Sequence, residues 1–227
     1  MDERLQKISK ALDYRFRRID LLDDALTHPG ASQPRLSKRR VAYERLEFLG
    51  DRVLGLVVAE MLFNRFPNEK EGDLARRHAA LVKGETVAVV AGQLGLGEAL
   101  IIAKSEDAPQ ATATPTMLAD ACEAVLGAMY ADSGLEDAAR IVRRFWEPLM
   151  DQAATPPRDP KTALQEWAQG RGKPLPVYET IGSEGPAHQP HFIVRVSVAG
   201  LEPVTATGTS KRAAEKAAAT AMLEKVT

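Results

Sequence analysis

Cysteine is almost missing from this sequence. Cys122 is the only one in 227 residues, so no disulfide can close within the chain. It sits in an apolar helical pattern, which marks a small core residue rather than a reactive thiol. No stretch approaches the roughly 18 apolar residues of a membrane span. The opening M-D-E-R-L-Q-K lacks the basic region and apolar run of a signal peptide, so a cytoplasmic protein with no membrane partner is expected. Also absent are a Walker-type G-x-x-x-x-G-K-S/T, a G-x-S-x-G turn, zinc-type Cys/His spacing and a dinucleotide glycine fingerprint. No small-molecule substrate is expected.

An excess of positive charge is missing too, since the formal net charge is −1. Residues 159–227 hold 8 Lys and Arg against 7 Asp and Glu, net +1, which leaves 22 against 24, net −2, for residues 1–158. Neither part is strongly basic, which argues against very tight non-specific RNA binding by a single subunit. What remains is the ordinary balance of a soluble globular protein, 44 % hydrophobic and 27 % charged. The length suits one or two domains with a sizeable core.

Apolar periodicity predicts helices over 2–14, 19–27, 41–65, 74–82, 85–94, 117–130 and 135–150, so the first 150 residues read as all-α. His28, followed by the stop signal Pro29-Gly30, reads as a hydrogen-bonding or capping residue, because no second His lies at ligand spacing nearby. Residues 31–40 read as a loop whose Arg35, Lys38, Arg39 and Arg40 either meet phosphates or are simply solvated. Residues 103–116 read as a polar loop. The composition changes at D-Q-A-A-T-P-P-R-D, which sets the boundaries: a domain over 1–150, a linker over 151–158 and a second domain over 159–227. There the pattern becomes a helix over 160–170, strands over 177–181, 191–198 and 202–207, and an Ala-rich helix capped by Ser210 and running to about Glu224. That order, α-β-β-β-α, makes a small α+β domain.

The stretch E-R-L-E-F-L-G-D-R-V-L organises the first domain. Glu44, Glu47 and Asp51 stand at i, i+3 and i+7, within about 60° of one helix face. Asp120 and Glu123 make a second i, i+3 pair on another apolar-patterned helix. Such acids repel one another, and a hard divalent cation such as Mg²⁺ removes the conflict by taking oxygen ligands. On spacing alone, exposed faces or ion pairs with Arg45 and Arg52 explain the acids as well. If a metal is held, phosphodiester hydrolysis is the reaction it serves best. In the second domain, Lys211, Arg212 and Lys216 open a helix whose dipole favours phosphate. Thr162, Gln165 and Glu166 form a polar face on the first helix, and G-P-A-H brings His188 to a turn between strands. These three features can span successive grooves of an A-form duplex, or they belong to an ordinary α/β domain with an incidental basic helix start.

E-R-L-E-F-L-G-D at Glu44–Asp51 resembles the signature of the ribonuclease III family. F-P-N-E-K-E-G-D-L at Phe66–Leu74 is similar to that family's second acidic segment, and L-A-D-A-C-E-A at Leu118–Ala124 to its L-A-D-x-x-E-A helix. From Asp159 onward, K-T-x-L-Q-E, G-x-A-H-x-x-x-F and S-K-R-x-A-E resemble its double-stranded-RNA-binding domain, so the likeness covers nearly the whole chain. It implies an Mg²⁺-dependent endoribonuclease, with Mn²⁺ able to take the metal's place. Such an enzyme cuts double-stranded RNA to staggered 5′-phosphate and 3′-hydroxyl ends in rRNA and mRNA processing.

By that resemblance Glu47, Asp51, Asp120 and Glu123 form the catalytic metal cluster, with Glu47 and Glu123 as direct ligands. Glu44 and Glu71 are supporting acids. Phe48 is a contact across a homodimer interface built from the signature helices. Thr162, Gln165, Glu166, His188, Lys211, Arg212 and Lys216 contact RNA. Two departures stand out. Residues 105–116, which in the family usually carry Gly and basic residues, have no Lys or Arg, and Pro29-Gly30 replaces a basic residue and Ser. The rival readings are a catalytically silent duplex-RNA binder, which has no need of six such acids, and a DNA-directed two-metal nuclease, disfavoured by the second domain.

Overall fold

A computed structural model describes residues 2–31, 37–102, 112–152, 159–186 and 190–226, with backbone alone for 37–40 and 152. The chain divides into two units, Met1–Pro157 and Arg158–Thr227.

The first unit is all-α: α1 (Glu3–Ala11), α2 (Ile19–Ala25), α3 (Ser37–Arg65), α4 (Glu71–Leu81), α5 (Gly84–Gln93), α6 (Leu96–Ala99), α7 (Pro115–Ser133) and α8 (Leu135–Gln152). Its core is built around α3 and α7. Tyr43, Leu46, Val53, Leu54, Val57, Val58 and Leu62 on α3 are buried with Ala121, Cys122, Ala124, Val125 and Ala128 on α7. Small residues on α7 let the two axes approach closely. Trp146 of α8 is fully buried and donates its indole N–H to the Leu81 carbonyl at 2.9 Å. Buried Arg77 stacks over Phe66 at 3.9 Å and makes two hydrogen bonds to Glu69, at 2.8 and 2.7 Å. Cys122 is buried, and burial pushes its thiol up to about 12, in keeping with a core residue.

Several boundaries differ from the sequence reading. Helix α3 begins at Ser37, so residues 37–40 are helical rather than loop. Lys and Arg are good helix formers, and their charge alone had suggested a solvated loop. Helix α4 starts at Glu71, which puts Glu71 and Asp73 in its first turn, where acids suit the dipole. Helix α7 starts at Pro115, and the Thr114 hydroxyl caps it by accepting the Met117 N–H at 3.3 Å. Helix α8 runs through Gln152, so the expected linker loses its first two residues to helix.

The second unit is α+β: α9 (Pro160–Gln169), β1 (Val177–Glu184), β2 (His191–Ser197), β3 (Val204–Gly208) and α10 (Lys211–Val226). The strands form an antiparallel sheet in the order β1-β2-β3, with a register shift between Thr180 and Gly182. That irregularity carries β1 three residues past Ile181. Leu164 and Ala168 of α9, Val194 and Val196 of β2, and Ala214, Ala218 and Met222 of α10 make its core. Ser210 caps α10 as expected, accepting the Ala213 N–H at 3.1 Å.

Candidate active site

The site begins at a glycine. A Cβ on Gly50 would lie 1.7 Å from the Glu123 carbonyl oxygen, and one on Gly127 would lie 2.0 Å from that of Leu46. Helices α3 and α7 therefore meet backbone to backbone, with the signature's glycine at the crossing. That approach sets Glu47 beside Asp120 and Glu123. The three half-buried carboxylates each offer an oxygen within 4.8 Å of the others.

Three acids this close, partly out of water, resist ionising together. Burial first, then Asp120 and Glu47, push the Glu123 carboxyl up to about 7, while Arg52 pulls it down. Glu47 is raised by burial, then by Asp120 and Glu44. Asp120 is raised by burial, against a downward pull from His28. The arrangement stores like-charge repulsion that a proton or a divalent cation relieves. Hard oxygen donors without nitrogen or sulfur suit Mg²⁺ or Mn²⁺.

Asp51 is not in that group. Its carboxylate is paired with the adjacent Arg52, whose guanidinium also lies 5.0 Å from the centroid of the exposed Phe48 ring. Glu44 is exposed one turn before Glu47. Glu71 is placed apart, in a groove lined by Leu56, Phe63, Leu74 and His78. His28 takes the hydrogen-bonding role expected of it: its Nδ1 accepts the Gly30 N–H at 3.0 Å.

Sequence reasoning missed Tyr43, a buried phenol one turn before Glu47, and the part played by Gly50 and Gly127. A glycine in each acidic helix, three residues after Glu47 and four after Glu123, was the available signal.

In the second unit, Thr162, Gln165 and Glu166 are all exposed on one face of α9. Lys211 and Arg212 are exposed at the start of α10, with the Lys211 Nζ 6.0 Å from the Phe192 ring centroid. Lys216 is tied to Asp159 at 2.9 Å. Asp159 also caps α9, accepting the Lys161 N–H at 3.0 Å and the Thr162 N–H at 3.4 Å. The Lys216 bond foremost holds the Asp159 carboxyl low. His188 lies outside the described residues, as do Arg35 and residues 103–111 of the expected polar loop.

The ribonuclease-III-like family model matches residues 18–149, and the double-stranded RNA binding motif matches residues 160–226. Ribonuclease 3 of Caulobacter vibrioides is 47 % identical over 229 residues, 99 % of this chain and 98 % of that one. Ribonuclease 3 of Wolbachia pipientis wMel is 44 % identical over 219 residues, 96 % and 94 % of the two chains. Among solved structures, the nuclease domain of ribonuclease III from Campylobacter jejuni is 38 % identical with a TM-score of 0.58, covering 66 % of this chain and 97 % of that one. No described helix is long and apolar enough to cross a membrane. With an acidic cluster at the crossing of α3 and α7 and a matched RNA-binding motif later in the sequence, the chain belongs to the ribonuclease III family and is an endoribonuclease.

Proposed function

We propose that this enzyme is a Mg²⁺-dependent homodimer, acting in the cytoplasm on double-stranded RNA in rRNA and mRNA processing. The observation that carries the reading is the convergence of Glu47, Asp120 and Glu123 within 4.8 Å. Those three side chains would hold the cation, and Mn²⁺ fits the same donors. A cation bound there supplies water activation and neutralises charge on the phosphodiester.

The chain's own residues supply the rest. Arg52 pairs with Asp51, and Asp51 would join the cluster only once that pair opens. Glu44 would support the site from one turn away, and Glu71, in its groove apart from the cluster, would position substrate. Water adds to phosphorus as the 3′ oxygen departs with a proton, which leaves 5′-phosphate and 3′-hydroxyl ends. The exposed faces of α9 and α10, with Thr162, Gln165, Glu166, Lys211, Arg212 and Lys216, are the RNA contacts, together with His188. Lys216 must then exchange Asp159 for a phosphate.

A dimer is supported by exposed apolar side chains along α3: Phe48 is 64 % exposed, Leu56 59 % and Phe63 72 %. A related nuclease domain, that of Campylobacter jejuni ribonuclease III, has a region described as involved in dimer formation. Two copies paired through α3 give two acidic clusters, one for each strand, and hence staggered cuts.

The test is incubation of the pure protein with a long RNA duplex in Mg²⁺ or in EDTA. Cutting is expected in Mg²⁺ alone, and Glu123→Ala is expected to abolish it while duplex binding survives. An uncut duplex that is still bound in Mg²⁺ would leave a silent binder. Loss of both cutting and binding in the variant would make Glu123 structural.

A further inference from the structure

Tyr43 is 1 % exposed, and its hydroxyl has no hydrogen-bond partner among the described residues. Buried polar atoms in folded proteins nearly always have one. The side chain stands one turn before Glu47 on α3, at the acidic end of the core. Its ring packs edge-on against His28, with centroids 5.9 Å apart and planes at 69°. His28 is itself fixed, its Nδ1 accepting the Gly30 N–H at 3.0 Å. Tyr43 is thus a proton-bearing group without a fixed charge, held against His28.

Electrostatics agrees with this placement. After burial, the groups that raise the Tyr43 hydroxyl are Asp120, then Glu47, then Glu123, which is the whole cluster. The phenol therefore stays protonated and keeps its one hydrogen to donate. A carboxylate is a strong acceptor for such a donor.

We propose that Tyr43 is a positioning residue of the acidic cluster. When a cation draws the cluster together, the Tyr43 hydroxyl donates to one of its carboxylates, and His28 holds the Tyr43 ring edge-on. Glu47, Asp120 and Glu123 then present their oxygens to a divalent cation in one arrangement. A neutral donor suits this task, because a Lys or Arg in its place would compete with the cation for the carboxylates. This inference rests on the metal-dependent reading above.

The experiment is calorimetric titration of Mn²⁺ into the full-length protein and its Tyr43→Phe variant, with Glu123→Gln as a control that removes a ligand. Loss of a hydrogen bond supporting a metal ligand typically weakens the metal by about 10- to 100-fold. We expect Tyr43→Phe to bind Mn²⁺ about tenfold more weakly. Its melting temperature in EDTA should stay equal to or above that of the wild type, since the lost hydroxyl has no partner there. Its kcat on duplex RNA should fall while KM is unchanged. Equal Mn²⁺ affinity in wild type and variant overturns the positioning role and leaves the metal reading standing. If the wild type itself takes up no Mn²⁺, the metal reading falls and this one with it. Should Tyr43→Phe fail to fold, wild-type protein labelled at tyrosine ¹³Cζ decides: the Tyr43 signal is expected to move on adding Mg²⁺, and a signal that stays in place overturns the proposal.

Discussion

Glu123 makes the cost of gathering three acids measurable. Burial first, then Asp120 and Glu47, push its carboxyl up to about 7 in the folded chain from an ordinary 4.5. Folding therefore favours the protonated acid. The stability it contributes is full below pH 4.5 and is lost as pH rises through about 7. Cation binding needs the carboxylate, so protons and metal compete, and the metal gains as pH rises. In EDTA the melting temperature should fall between about pH 5 and pH 8. Added Mg²⁺ should restore it at the upper end and do little at the lower. Glu123→Gln should reduce both effects without erasing them, because Glu47 and Asp120 are raised as well. Scanning calorimetry across that range checks this, and an undiminished pH slope in the variant would show that the repulsion lies elsewhere. The acids themselves were legible in the sequence, since i, i+3 spacing puts Asp120 and Glu123 on one face. The division among them was not. Asp51 shares the helix face with Glu47, but its neighbour Arg52 holds it; the sequence offered Arg52 as a partner, and spacing alone does not say which acid it takes.

At the scale of elements, the crossing of α3 and α7 decides whether a site exists at all. The obstruction that a side chain at Gly50 would meet is the Glu123 backbone, not the end of a flexible side chain. Gly50→Ala must therefore push the helices apart and carry Glu123 away from Glu47. Overpacking a tight core costs about 1–3 kcal/mol or more. At roughly 2–4 °C per kcal/mol for a domain of this size, that predicts a fall in melting temperature of several degrees. Cutting should be lost with it, and more completely than the stability change alone accounts for. A variant with wild-type melting and wild-type cutting would show that the approach is looser than the backbone geometry states. Most elements could be read from the sequence because their apolar periods are strong. Their ends could not, because ends depend on caps and local backbone. The polarity of residues 37–40 suggested loop although Lys and Arg tolerate helix, and α8 continues past Met150 because nothing in Asp151 or Gln152 stops it. A stop of another kind is tertiary. Asp132, at the far end of α7, accepts the Arg17 and Arg18 N–H groups at 2.9 Å each and the Tyr14 hydroxyl at 2.7 Å, and so fastens the turn that leads into α2 from a distance no local pattern reveals.

For the whole molecule, the weak charge balance has a consequence. A chain of net charge −1 cannot rely on bulk electrostatics to hold RNA, so it gains from presenting two copies of its binding face at once. The apolar side of α3 offers the means. Phe48, Leu56 and Phe63 stand on one side of the helix, and Phe63 and Leu56 continue into a groove with Leu74, Ala75 and His78. A stable interface buries about 1,000 Å² or more, which one exposed ring cannot supply but a helix-long stripe with a groove beside it can. In a two-fold pairing each residue meets the same surface of its partner, so one charge introduced at Phe63 enters the interface twice. Phe63→Glu lies at an exposed position, so the isolated subunit should keep its stability to within about 0.5 kcal/mol. Its mass in solution at micromolar concentration should drop to that of one chain. Duplex binding should persist but weaken as the second copy's contribution is lost, and two-strand cutting should disappear. Sedimentation of the wild type and the variant settles the point: a variant that keeps the dimer mass would place the interface away from this stripe, and a wild type that runs as a single chain would remove the two-cluster arrangement altogether.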